Sequence, residues 1–260
     1  MRYEIMFPDQ IREAIDRNTP VALALGVLEY HGEHLCPGVD TLVVQRALEM
    51  LEKEMDLVIL PPFYYGAGSY AVAGPERKGG MHIDAETLNR FARQLFYNLL
   101  RIGFRNIYVF FHHQSENFVS GMPTDLAFRL AAKQEIFAFI EHEKGDGWWG
   151  EDAASANYYE EHEAGSDPFS WIRVEPFMSG EAQKQWPIDH AGEQETSLMM
   201  AFAPEGVDMT RFDGKQWYAQ SAVKANMDYA SKAKTFILND IRKWGDRCVG
   251  HGRKAVHHCQ

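Results

Sequence analysis

Three short stretches carry residues whose types and spacing could hold a metal ion or move a proton. The first is Glu29-Tyr30-His31-Gly32-Glu33-His34, followed by Cys36, Pro37, Gly38 and Asp40. Glu29 and His31 stand two apart, so an extended backbone projects both to the same side. Gly32 and the Pro37-Gly38 pair let the chain turn and return Asp40 toward that point. Two carboxylates and an imidazole converging at a strand end form a hard-to-borderline site suited to Zn²⁺, Mn²⁺ or Fe²⁺. The second stretch is Phe111-His112-His113-Gln114-Ser115-Glu116-Asn117, and the third is His190-Ala191-Gly192-Glu193-Gln194-Glu195-Thr196-Ser197. Gathered in one crevice, their carboxylates would repel one another, and a bound cation relieves that repulsion.

Gathering them requires a scaffold, and the sequence predicts one. The continuous apolar run Val21 to Leu28 reads as a strand buried on both faces. Thr41 to Met55 follows with helical spacing, then a strand over Leu57 to Leu60 that Pro61-Pro62 must stop. Tyr64 to Gly80, rich in glycine and aromatics, reads as an extended loop. A helix is expected over Ala85 to Ile102 with Asp84 as its cap. A strand over Asn106 to Phe111 and a helix over Thr124 to Ala138 complete the clear part. The segment from His142 to Asp189 is less regular, with a short strand around Trp171 to Val174. Helical periodicity returns over Glu195 to Phe202 and over Ala222 to Trp244. Strands alternating with helices imply a three-layer αβα fold around a mostly parallel sheet, as one domain over residues 1–260. In such a sheet the active site lies at the carboxyl ends of the strands, where two of the three polar stretches fall.

Composition narrows the function classes. The 260 residues carry a net charge of −11, which argues against a duplex-DNA binder and so against a nucleic-acid partner. No apolar run approaches the roughly 18 residues of a membrane span, so no membrane partner is expected. The amino terminus lacks the apolar core of a signal peptide. Three cysteines, Cys36, Cys248 and Cys259, are too few for a disulfide framework, and a cytoplasmic location is expected.

Rival motifs are weak. Gly66-Ala67-Gly68-Ser69-Tyr70-Ala71 fits the start of a dinucleotide fingerprint, but Pro61-Pro62 intervenes and no clean helix begins there. No Gly-x-Ser-x-Gly elbow occurs, against a serine hydrolase of the α/β type. Cys36 beside the histidines reads as a packed thiol before a nucleophile. Trp148, Trp149 and Trp186 could wall a small-substrate site or fill a subunit interface. The terminal His251, His257, His258 and Cys259 read as a tail.

The run from Gly26 to Thr41 resembles the signature of the creatininase (creatinine amidohydrolase) family, with the same spacing from Glu to His to Asp. His190 to Ser197 is similar to that family's His-Ala-Gly-x-x-Glu-Thr-Ser stretch, and Phe63 to Ile83 more loosely matches its Pro/Gly-rich loop. The second stretch departs from the pattern, Asn-Gly-His-Gly-Gly-Asn or Gly-His-x-Glu-Asn. Counting forward puts His113 at the ligand histidine, counting backward puts Gln114 there, and His113 is favoured because imidazole is the better ligand. Glu116 then matches the family's second-metal glutamate, three residues from the histidine rather than two.

The resemblance implies the creatininase-type fold and two divalent ions (Zn, Mn or Fe) per subunit. One would be held by Glu29, Asp40 and His113. The other would take His31, the shared Asp40, and a glutamate, either Glu116 or Glu195. A hydroxide held between the cations would attack a small cyclic or linear amide-type carbonyl, with His190 carrying the proton and Glu195 orienting it or acting as base. His34 would hydrogen-bond a ligand or the backbone. Family members assemble, so a homohexamer is expected. Two other outcomes are implied: ring opening of a diketo-inositol at a carbon–carbon bond, and a non-catalytic metal-binding relative acting in assembly.

Overall fold

The computed structural model describes residues 1–114, 118, 120–151, 153–165 and 167–249. Glu116 and the four terminal residues His251, His257, His258 and Cys259 lie outside them. Among the described residues four strands form one sheet: β1 (Val21–Leu25), β2 (Val58–Ile59), β3 (Ile107–Phe111) and β4 (Ile172–Pro176), in the order β2-β1-β3-β4. All three pairings are parallel, with Val21 to Leu25 in register with Ile107 to Phe111. Parallel pairing forces a crossover after each strand, and the apolar strand runs demand cover on both faces.

The helices supply that cover. In chain order they are α1 (Pro8–Asp16), α2 (Val39–Leu51), α3 (Ala85–Ile102), α4 (Pro123–Lys144), α5 (Trp148–Glu151), α6 (Tyr158–Ala164), α7 (Gly180–Gln185), α8 (Glu193–Phe202) and α9 (Met227–Val249). Val21, Leu23 and Leu25 share one core with Leu88 and Phe96 of α3 and Phe128 of α4. Ala22 and Ala24 face the other core, with Val43 and Leu48 of α2, Leu198 of α8 and Ile237 of α9. Alternation along β1 therefore separates a bulky face from a small one. The crossover through α2 leads to one side of β1 and that through α3 to the other, so β1 and β3 flank a topological switch point. The crevice beyond their carboxyl ends is where such sheets place ligands.

Several boundaries differ from the periodicity reading, among them the end of α4, which runs on from Ala138 to Lys144. Strand β1 stops at Leu25, although Gly26 N–H still bonds the Phe63 carbonyl at 3.1 Å. Helix α2 begins at Val39, so Asp40 sits in its first turn and not in the preceding loop. The helix expected from Ala222 divides into a 3₁₀ stretch, Trp217–Lys224, and α9 from Met227. No helix among the described residues is long and apolar enough to cross a membrane.

Candidate metal centre

The site starts where β1 ends. A Cβ on Gly26 would lie 2.6 Å from Thr41 Oγ1 and 2.7 Å from Thr41 N, so only glycine lets α2 come this close to the strand. Glu29 N donates to the Pro37 carbonyl at 3.1 Å, closing the turn that returns the chain to α2. That closure brings Asp40 to Glu29 and His31, and all three are buried. His31 Nδ1 lies 3.1 Å from the Glu29 carbonyl oxygen, which can only accept. Nδ1 therefore carries a hydrogen, and Nε2 faces Asp40 Oδ1 at 3.6 Å and Glu195 Oε2 at 3.5 Å. A ring tied to a carbonyl through one nitrogen while offering the other is the usual posture of a ligand histidine.

Two adjacent histidines leave the end of β3 for different partners. His113 Nδ1 lies 3.2 Å from Glu29 Oε1 and 3.5 Å from Asp40 Oδ2. His112 Nε2 lies 3.1 Å from Glu195 Oε1. Gln114, the rival to His113, has a left-handed backbone with φ of 50°.

The third contribution comes from the entry to α8. Asp189 accepts from Gln194 N at 3.2 Å and Glu195 N at 3.0 Å, satisfying helix N–H groups that otherwise lack partners. Ala191 takes φ of 54°, and its N–H donates to Glu195 Oε2 at 2.6 Å. Strain of this kind in a residue with a Cβ costs about 1–3 kcal/mol and clusters at functional sites. His190 Nε2 lies 3.1 Å from the Tyr30 carbonyl, and its Nδ1 is 3.5 Å from Glu29 Oε1.

Three groups thus have ligand atoms mutually within 4.8 Å: Glu29, Asp40 and His113; His31, Asp40 and Glu195; Glu29, His31 and His190. The first two share Asp40. Glu29 Oε1, His31 Nε2 and Asp40 Oδ2 are buried without a hydrogen-bond partner among the described residues. Among those residues the ion-pair partners of Glu29, Asp40 and Glu195 are all histidines.

Charge in the centre is balanced by protons on those rings. Burial opposes protonation of His31, but Glu195, Asp40 and Glu29 outweigh it and raise the imidazole to about 10. Burial likewise opposes protonation of His113, and Asp40 and Glu29 raise it to about 10. Against its own burial, Asp40 is held well below the usual carboxylate range by His31 and His113. Glu195 is lowered against burial by His31 and His112. His190 moves the other way, pushed down by burial and by the charge of His31. Side chains that must borrow protons to offset three buried carboxylates fit divalent cations, which supply the same charge without them.

The Creatininase (creatinine amidohydrolase) family profile matches residues 6–244. The chain belongs to this family. A curated creatinine amidohydrolase from Pseudomonas putida is 27% identical over 195 residues, covering 73% of this chain. The match spans 66% of that relative's length, a little under two thirds. A crystal structure of creatinine amidohydrolase (creatininase) superposes with a TM-score of 0.69 at 18% identity, covering 98% of each chain. A mutant creatininase described as of the zinc–zinc type gives 0.69 at 16% identity, covering 97% of this chain and 98% of that one. The four-stranded parallel sheet between helix layers is the creatininase fold.

Measured against the family motifs, the structure brings Glu29, His31, Asp40, His113, His190 and Glu195 together. His34 is buried with Nε2 3.1 Å from Thr196 Oγ1 on α8, and it also hydrogen-bonds the Ala191 backbone, in keeping with the backbone partner expected. Cys36 is half-buried against Gly206, and burial pushes its thiol up, in keeping with a packed residue. Trp186 packs against Phe236 of α9 and Trp148 against the α3–α4 core, which gives both a packing role. Two contributors went unassigned in the sequence. Asp189 had a readable signal, an acidic residue just before a helical run. Tyr218, edge-on to His190 with ring centroids 5.0 Å apart, had none.

Proposed function

We propose that this chain is a single-domain, divalent-metal-dependent hydrolase acting on a small amide-type carbonyl substrate. The observation that carries the reading is the pair of buried carboxylate–imidazole groups sharing Asp40, with His190 at their edge. Glu29, Asp40 and His113 would hold one ion; His31, Asp40 and Glu195 would hold the other. Zinc and manganese both suit such mixed oxygen and nitrogen donors, and the zinc–zinc relative supports the first. When bound, the pair supplies Lewis-acid polarisation of a carbonyl and a water made nucleophilic near neutral pH.

The chain's own residues then do three things. Asp40 fixes the spacing of the two subsites from the first turn of α2. Glu195 is assigned to the metal rather than to His190, because its Oε2 faces His31 Nε2. His190 carries the proton: its Nε2–H is engaged by the Tyr30 carbonyl, so Nδ1 is the atom that faces the centre. Burial favours the neutral ring, which can accept a proton there and pass it to the leaving atom.

The test is metal depletion and restoration on creatinine, linear formamides and cyclic ketones. Two ions per chain are expected, with turnover lost on chelation and restored by Zn²⁺ or Mn²⁺. Restored turnover of the ketones alone would favour the carbon–carbon ring-opening reading. Two tightly bound ions without turnover of any of these would favour a binding protein. His190→Ala is expected to keep both ions while turnover falls about 10²- to 10⁴-fold. Loss of an ion in that variant would make His190 a ligand. Exposed Leu126, Leu130 and Phe137 on α4 support a contact between copies, and light scattering on the eluting protein would measure whether they form the homohexamer that the resemblance implies.

A further inference from the structure

The second subsite depends on how the Glu195 carboxylate is turned, and the torsion that turns it is soft. Rotation about the last bond of a glutamate has broad minima, so neighbouring donors must fix it. Two are present, one on each oxygen. Ala191 N–H reaches Oε2 at 2.6 Å, and His112 Nε2 reaches Oε1 at 3.1 Å. An ionised carboxylate only accepts, so His112 carries its hydrogen on Nε2. The ring itself is locked: it is 1% exposed and lies edge-on to Phe177 with centroids 5.9 Å apart. With both oxygens held, Oε2 stands 3.5 Å from His31 Nε2 and faces Asp40 across the same small space.

We propose that His112 is a positioning residue that holds Glu195 in the rotation presenting Oε2 to the second cation, setting that subsite's affinity without being one of its ligands. The proposal rests on the reading of Glu195 as a ligand. It divides two neighbouring rings between the two subsites: His113 serves Glu29 and Asp40 directly, while His112 serves the other half through a carboxylate.

The experiment titrates metal-depleted full-length protein with Co²⁺, following heat and the visible absorption of the bound ion. The variants are His112→Gln, which keeps an N–H donor at similar reach, and His112→Leu, of similar size without one. His112→Asn, polar but too short, stands in if the leucine variant does not fold; thermal melting reports folding for each. Wild type is expected to take two equivalents. His112→Leu is expected to bind the second equivalent about 10- to 100-fold more weakly, with an altered absorption band and an unchanged first equivalent. His112→Gln is expected to recover most of the affinity. Wild-type affinity and spectrum in His112→Leu would overturn the positioning role, as would a glutamine variant no better than leucine. Wild-type binding of both equivalents by Glu195→Gln would instead overturn the assignment of Glu195, and the inference with it.

Discussion

The two halves of the centre share Asp40 but are built on different principles. Glu29, Asp40 and His113 come from the turn after β1, the first turn of the helix packed beside that strand and the chain just past β3, so the Glu29–Pro37 bond and core packing fix their backbones. His31, Asp40 and Glu195 need a distant helix, entered through a left-handed Ala191 and an Asp189 cap. The donors differ too. Glu195 has an N–H on each oxygen, whereas Glu29 Oε1 and Asp40 Oδ2 have no hydrogen-bond partner among the described residues. One half is positioned by hydrogen bonds to its carboxylate oxygens; the other is positioned by the packing of turn and helix against the strand ends and lacks charge compensation until protons or cations arrive. Precision and charge neutrality are thus solved in separate places.

The widest separation of the halves should come from their common member. Asp40→Asn is expected to weaken both ions by more than about 100-fold, beyond the range for residues that only support ligands. Glu29→Gln should cost one equivalent and leave the other, as read by metal content after gel filtration. A full equivalent retained by Asp40→Asn would show that the aspartate is not shared.

A smaller effect is expected from pH on the metal-free protein. His31 and His113 are raised from an ordinary 6.5 to about 10, so the stability they contribute is fully present below 6.5 and disappears as pH rises through 10. Metal-free protein should melt lower at pH 9.5 than at pH 7, by about 2–4 °C for each kcal/mol lost. Zinc-loaded protein should show a smaller drop over the same window. Uptake of Zn²⁺ at pH 7.5 should release protons, seen as binding heat that depends on the buffer. A buffer-independent heat would mean that the rings are already neutral.

The smallest expected change tests the half held by the packing of α2 against the end of β1. Gly26→Ala would set a methyl 2.6–2.8 Å from Thr41 and the Asp40 carbonyl carbon. The helix must shift, costing about 1–3 kcal/mol in a denaturant titration. Unchanged stability would mean that α2 is free to give.

These differences also explain what could be read in advance. The strands and the α3 and α4 helices follow from apolar periodicity, because burial on both faces leaves few alternatives for runs such as Val21 to Leu25. The start of α2 was misplaced by two residues, since Asp40 is buried as a site residue and contributes nothing to an apolar repeat. Glu29, His31 and Asp40 were legible because one closed turn joins them. The choice between Glu116 and Glu195 was not, since spacing along the chain does not say which carboxylate reaches His31. His112 and His113 were equally conspicuous in the sequence, and their different duties depend on which way each ring leaves the strand. Tyr218 reaches His190 only through tertiary folding.

Ala22 and Ala24 lie under α2, beside Tyr108 and Phe110 in the register. They act as a shim of minimal thickness between the sheet and the helix that carries Asp40. The distance of Asp40 from Glu29 and His31 is therefore adjustable from below, by methyl-sized changes in side chains that touch none of the three.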